Sequence, residues 1–223
     1  MFGMDIQALL LLLSKVLIPG VFAITLHEVA HGWTAKVLGD PTASMLGRLT
    51  INPLKHVDPI GTVLVPVALL LFAPPGMIFG WAKPVPIDPR RFRNPKRDEL
   101  LVAVAGPASN LLMGGAWALI ANPAIAWLEP SSPLTEWVVG MCMFGMLINI
   151  ILAVFNLLPI PPLDGWRVIA VCLPEKASDV IRRVEPFGLI IVILLMVSGV
   201  LGSVLERPAN SLLAVYHSVA GLA

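Results

Sequence analysis

Charge is scarce in this chain. Only 13% of its 223 residues are Asp, Glu, Lys or Arg, about half the ~25% typical of a soluble domain, so an ordinary soluble domain is excluded. A net charge of +1 leaves no electrostatic footprint for nucleic acid, and no nucleic-acid partner is expected. The two cysteines, Cys142 and Cys172, form neither a disulfide framework nor a C-x-x-C pair and read as buried apolar fillers. Residues 1–5 lack the basic region of a cleavable signal, so the apolar run behind them is expected to be retained as structure. Internal repeats and low-complexity tracts are also missing.

Apolar residues are what the chain has in abundance: 57% are hydrophobic and the mean hydropathy is +0.86. An all-α polytopic membrane protein with about four to six transmembrane helices is expected, folded as one integral-membrane domain over 1–223. A first helix is predicted over 6–38, with a kink at Pro19-Gly20 and a stop at Gly39-Asp40-Pro41. Charge-free spans follow at 100–120 and 137–158, and a C-terminal span at 187–205. Asn149, in the second of these, is expected to hydrogen-bond to a neighbouring helix.

Two stretches do not fit a simple span. Gly47-Arg48-Leu49-Thr50-Ile51 alternates like a short strand. Residues 60–79 are apolar but broken by Pro66, Pro74-Pro75 and Gly76, and then 80–86 has the prolines of extended backbone, Pro84 and Pro86. Loop 81–99 holds six basic residues and 159–186 another set, whereas 121–136 holds none, which places the first two on the cytoplasmic side. Parity then favours a re-entrant hairpin at 60–79, turning at Pro74-Pro75-Gly76, because Arg48 and Lys55 in the preceding connection also belong inside. His56, in that connection, reads as a surface histidine, with a metal or substrate role as the alternative.

Within the first helix lies His27-Glu28-Val29-Ala30-His31, an H-E-x-x-H motif. At about 100° per residue the two imidazoles fall on one helix face, one turn apart, where they can hold Zn²⁺ while the glutamate reaches a water beside it. Such a pair needs a third protein ligand. Asp164 is the best candidate, in a proline-rich turn at the end of a span parallel to the first helix; its other reading is a cap for the helix that begins there.

The chain resembles the site-2 proteases, zinc metalloproteases that cut within the membrane. The resemblance rests on His27-Glu28-Val29-Ala30-His31, on Ala105-Gly106-Pro107 with Asn110, and on the long motif Asn156-Leu157-Leu158-Pro159-Ile160-Pro161-Pro162-Leu163-Asp164-Gly165. Together with 80–86 it covers a core of about residues 20–170, in the manner of a compact prokaryotic member without a PDZ or CBS domain.

What the resemblance implies is one Zn²⁺ per chain held by His27, His31 and Asp164, Glu28 as the general base, and a transmembrane segment of another protein as substrate, in a prokaryotic inner or plasma membrane. Asn156 would position the substrate carbonyl or stabilise the oxyanion, unless it makes an interhelical hydrogen bond. Gly106, Pro107 and Asn110 are read as packing residues. Extended backbone near 47–51 or 78–86 would receive the unwound substrate as an added strand. Two rivals explain part of the pattern: a metal-ion transporter or channel, and a non-catalytic relative that binds membrane segments.

Overall fold

The computed structural model describes residues 6–72, 80–174, 177–178 and 183–222. Its main elements are α1 (Ile6–Val37), α2 (Val65–Phe72), α3 (Pro95–Trp127), α4 (Pro133–Asn156), α5 (Asp164–Cys172), α6 (Gly188–Val197) and α7 (Val200–Ala220). Helix α1 runs without interruption through Pro19, whose side chain is fully buried, and ends one residue before the expected boundary. Among the described residues three helices are long and apolar enough to cross a membrane, α1, α3 and α4, or four if the bent pair of α6 and α7 counts as one span. The protein is thus an all-α polytopic membrane protein, with three or four candidate spans among the described residues against the four to six expected.

Helices α1 and α4 lie parallel. Towards their N-terminal ends Trp137 Nε1 donates to Ser14 Oγ at 2.8 Å and Lys15 Nζ meets Glu136 Oε1 at 3.2 Å. Towards their C-terminal ends α1 carries the two histidines and α4 runs into the turn that carries Asp164. Helix α3, joined to α4 by the short 128–132 connection, runs antiparallel beside both. Small residues bring these helices close, as lipid-embedded packing requires: Gly145 faces the indole of Trp117, and Ala118, Ala121, Cys142, Met146 and Ala220 form a buried cluster.

The span expected at 187–205 is not one helix. Helix α6 ends at Val197, Gly199 adopts φ +76°, and α7 leaves at 81° to α6. The left-handed region is open to glycine without a Cβ clash, so an apolar run with no charge to mark it still breaks there. Helix α7 packs back on α3, where Tyr216 Oη donates to the Leu111 carbonyl at 2.6 Å. Cys142 is buried as expected, but Cys172 is exposed.

The turn predicted at Pro74-Pro75-Gly76 lies outside the described residues, but both ends of the hairpin are described. Trp81 N–H donates to the Gly61 carbonyl at 3.1 Å and Thr62 Oγ1 donates to the Trp81 carbonyl at 2.8 Å. A chain that departs at Gly61 and is bonded to it again at Trp81 has come back to the side it left. The return needs a glycine, since a Cβ on Gly61 would sit 2.2 Å from the Trp81 ring.

From Trp81 to Asp88 the backbone forms no helix or strand, its prolines at 84 and 86 favour extended geometry, and it is held piecemeal by several loops. Lys83 N–H donates to His56 O at 2.9 Å, Arg48 Nη2 donates to Lys83 O at 2.9 Å, and Asp88 N–H donates to Asp40 Oδ2 at 2.7 Å. No strand forms among the described residues, at 47–51 or here, because these partners are side chains and isolated carbonyls rather than a second extended chain. His56 is also corrected. It is 2% exposed, its Nε2 donates to Thr50 O at 2.9 Å, and the loop closes over it.

Candidate metal centre

Three side chains converge where α1, α3 and the 157–164 turn meet. His27 Nε2 and His31 Nε2 lie 3.1 Å apart, and Asp164 Oδ2 lies 3.2 Å from each. Both histidines are 7% exposed, and this is the one group of three such donors found among the described residues. Asp164 is the first residue of α5 rather than its N-cap, which is Leu163, and no side-chain hydrogen bond caps that helix. Its place is set by the turn before it. A Cβ on Gly165 would lie 2.2 Å from the Leu157 carbonyl oxygen, so only glycine allows the chain to fold back this tightly.

Helix α3 fixes how the imidazoles present themselves. Val102 O can only accept, so the 2.7 Å contact to His31 Nδ1 is a donation from Nδ1–H, and Nε2 keeps its lone pair. For His27 the same outcome comes through two amides. Asn149 Nδ2 donates to the Gly145 carbonyl at 2.8 Å, which turns Asn149 Oδ1 towards Asn110. Asn110 Nδ2 donates to that oxygen at 2.9 Å and to Ala23 O at 3.2 Å, so Asn110 Oδ1 faces His27 Nδ1 at 2.5 Å and accepts its proton. Two backbone carbonyls, Gly145 O and Ala23 O, thereby order the whole relay.

Three acceptors therefore point at one another with no proton between them, and Asp164 Oδ2 has no hydrogen-bond donor among the described residues. Lone pairs at this spacing repel unless a cation lies between them. Bonds of about 2.0–2.2 Å in a tetrahedron set ligand atoms roughly 3.3 Å apart, so the spacing fits Zn²⁺ with a fourth position open. Gly106 makes the approach of α3 possible: a Cβ there would lie 2.3 Å from His31 Nε2.

Glu28 accepts a hydrogen bond from Val85 N–H at 2.8 Å through Oε2, which ties the extended segment to the motif. Glu28, His27, His31, Asp164, Asn156 and part of the 80–87 backbone all line one cavity of about 400 Å³. The hydrogen bond of Asn156 is not interhelical: its Nδ2 donates to Leu152 O within α4 at 2.9 Å. Asn149, by contrast, makes the interhelical bond expected of it.

Sequence reasoning misses what Asn110 does, since an amide in an apolar helix reads as packing. The available signal is position. Asn110 lies one turn beyond Gly106 in a charge-free stretch and faces the same way as the glycine that admits the histidines. The Val102 carbonyl and Val85 N–H carry no signal in side-chain chemistry at all.

Comparison with known proteins agrees with this geometry. A family model for peptidase family M50 matches residues 124–199, across α4, the Asp164 turn and α6. The chain is 35% identical over 214 residues to "Putative zinc metalloprotease YwhC" of Bacillus subtilis, covering 93% of each chain. It is 28% identical over 181 residues to "Putative zinc metalloprotease Rip2" of Mycolicibacterium smegmatis, covering 81% of this chain and 66% of that one. No solved structure matches. With nearly all of its length shared with the first of these relatives, and the family match lying across the Asp164 turn, the chain belongs to peptidase family M50, the family of the site-2 proteases.

Proposed function

We propose that this protein is a zinc-dependent endopeptidase that hydrolyses peptide bonds in or near transmembrane segments of other membrane proteins. The observation that carries the reading is the convergence of His27 Nε2, His31 Nε2 and Asp164 Oδ2, three acceptors without a proton, with Glu28 in the same cavity. One Zn²⁺ per chain held by these atoms would acidify an adjacent water towards a pKa of about 7 and polarise a substrate carbonyl.

Glu28 takes the proton of the attacking water as the new C–O bond forms, then gives it to the amine as the C–N bond breaks. Val85 N–H holds the carboxylate in place for both transfers. Asn156, on the same cavity wall, donates to the carbonyl oxygen as negative charge builds on it, exchanging its bond to Leu152 O for this one.

The substrate segment unwinds and lies along residues 81–87. Pro84 and Pro86 favour extended backbone here, and the peptide groups of Ala82 and Ile87 have no partner among the described residues. Main-chain hydrogen bonds to these open peptide groups supply affinity without demanding one sequence. The six basic residues of loop 81–99 favour the cytoplasmic side for this end of the helices, and with it for the metal, and the reading takes the membrane to be that of a prokaryotic cell.

The test is Glu28→Gln in the full chain in native membranes or detergent. The variant should retain zinc at the wild-type ratio and cleave a membrane-embedded reporter at least about a thousandfold more slowly. Unimpaired cleavage would sink the mechanism. Metal flux across vesicles that survives the substitution would establish a transporter instead.

A further inference from the structure

A second cavity, of about 590 Å³, opens beside the first. Its described walls include Lys96, Glu99, Ser178 and Glu185, so it is polar where the metal cavity is mostly apolar. The two cavities share three residues: Val85, Ile87 and Arg167. Val85 and Ile87 belong to the extended segment, which passes from the first cavity into the second. Arg167 stands at the junction, one helical turn after Asp164 on α5 and therefore on the same side of that helix.

The Arg167 guanidinium has no hydrogen bond or ion pair among the described residues, although Glu99 on α3 and Glu185 before α6 line the same cavity. Its helix is anchored, however, because Gly165 is pressed against the Leu157 carbonyl and Gly188 lies under the Pro161 backbone. An arginine with five donors, a fixed base and no described partner beside a candidate metal ligand is built to meet acceptors that arrive from outside.

We infer that the second cavity is the binding site for the polar stretch that flanks the substrate's membrane segment, and that Arg167 binds main-chain carbonyls of the substrate where it passes between the cavities. The inference rests on the endopeptidase reading above. A chain laid along 81–87 and continued in the same direction leaves the metal cavity past Arg167 and enters the second one. The mixed charges of Lys96, Arg167, Glu99 and Glu185 suit a hydrated peptide of either sign rather than an apolar helix. The site therefore recognises an extended polar peptide, and it helps to set which bond of a membrane segment reaches the metal.

The experiment uses the zinc-loaded full chain and two fluorogenic transmembrane reporters that differ only in having or lacking a polar flank on the cytoplasmic side. Wild type should cleave the flanked reporter with the higher kcat/KM, mainly through a lower KM. In Arg167→Gln this preference should fall by about tenfold, the scale of losing charge-assisted hydrogen bonds, with zinc content at the wild-type ratio. Arg167→Lys should recover only part of it. Ala170→Phe, which fills the second cavity and leaves Arg167 in place, should erase the same preference. In a Glu28→Gln background, Ala170→Cys should crosslink under mild oxidant to a cysteine in the flank and not to one inside the membrane segment.

Equal kcat/KM for both reporters in wild type, an unchanged preference in Arg167→Gln, or loss of zinc in that variant would each overturn the inference while leaving the endopeptidase reading intact. Failure of wild type to cleave either reporter would overturn both.

Discussion

Asn110 Oδ1 lies 2.5 Å from His27 Nδ1, and this contact decides which imidazole nitrogen faces Asp164. Replacing Asn110 by Ala removes the acceptor and frees His27 to present a protonated Nε2 to the metal. Zinc affinity should fall about 10- to 100-fold, the usual cost of losing a ligand's outer partner. Competitive zinc titration of the purified protein checks this. Asn149→Ala should act in the same direction but more weakly, since it only orients Asn110.

Gly106→Ala places a methyl group 2.3 Å from His31 Nε2 on a helix too tightly packed to retreat freely. It should cost about 1–3 kcal/mol of stability, the scale of overpacking, and should deplete bound zinc. Metal analysis beside a thermal melt in detergent gives both readouts. A variant with full zinc and an unchanged melt would show that α3 does not press on the histidines as described.

Chelation should destabilise the protein as well as inactivate it. Metal bound only by the folded state adds about 4 kcal/mol when free zinc exceeds the dissociation constant a thousandfold. The melting temperature should drop on treatment with a chelator and recover with added zinc. His27→Ala and Asp164→Ala should melt at the same temperature with and without chelator.

Two glycines in the bent pair should respond with opposite sign to alanine. Gly199 has φ +76° and nothing within 4 Å of where a methyl group would stand, so Gly199→Ala carries only backbone strain, about 1–2 kcal/mol. Gly202 is helical, also with nothing within 4 Å, so Gly202→Ala should stabilise by about 0.5–1 kcal/mol. Thermal melts of the two variants make the comparison.

The hairpin predicts labelling from one side. With Cys142 and Cys172 replaced, single cysteines at Met45, Leu54 and Arg90 should react with an impermeant maleimide from the same face of the membrane, and one at Ser131 from the other. Met45 and Leu54 are 74% and 77% exposed, so lack of reaction would not be due to burial. Labelling of Leu54 and Arg90 from opposite faces would exclude the hairpin.

The candidate metal ligands are legible because their chemistry is written in residue types: two histidines at helical spacing, and an aspartate in a proline-rich turn at the end of a parallel span. The membrane spans are legible because uncharged runs have a length that can be compared with a bilayer. Other features are hidden for physical reasons. The break at Gly199 depends on one backbone dihedral within an apolar run. The burial of His56 depends on a loop closing over it, whereas its charged neighbours in sequence suggest a wet surface. The alternation at 47–51 has strand periodicity, but periodicity does not supply a partner chain. Asn110 reads as packing because its partner, His27, is 83 positions away in the chain.

The hydrogen bond of Trp137 to Ser14 at one end, and a metal shared by the two histidines and Asp164 at the other, would fasten α1 to α4 and its turn near opposite ends of the two helices. Two struts pinned at both ends cannot slide past each other without breaking a pin. When a bilayer thickens or thins, the pair must therefore answer by leaning as one body. The distance between Asp164 and the two imidazoles is thereby insulated from the lipid around them, so a metal held there keeps its geometry in membranes of different thickness.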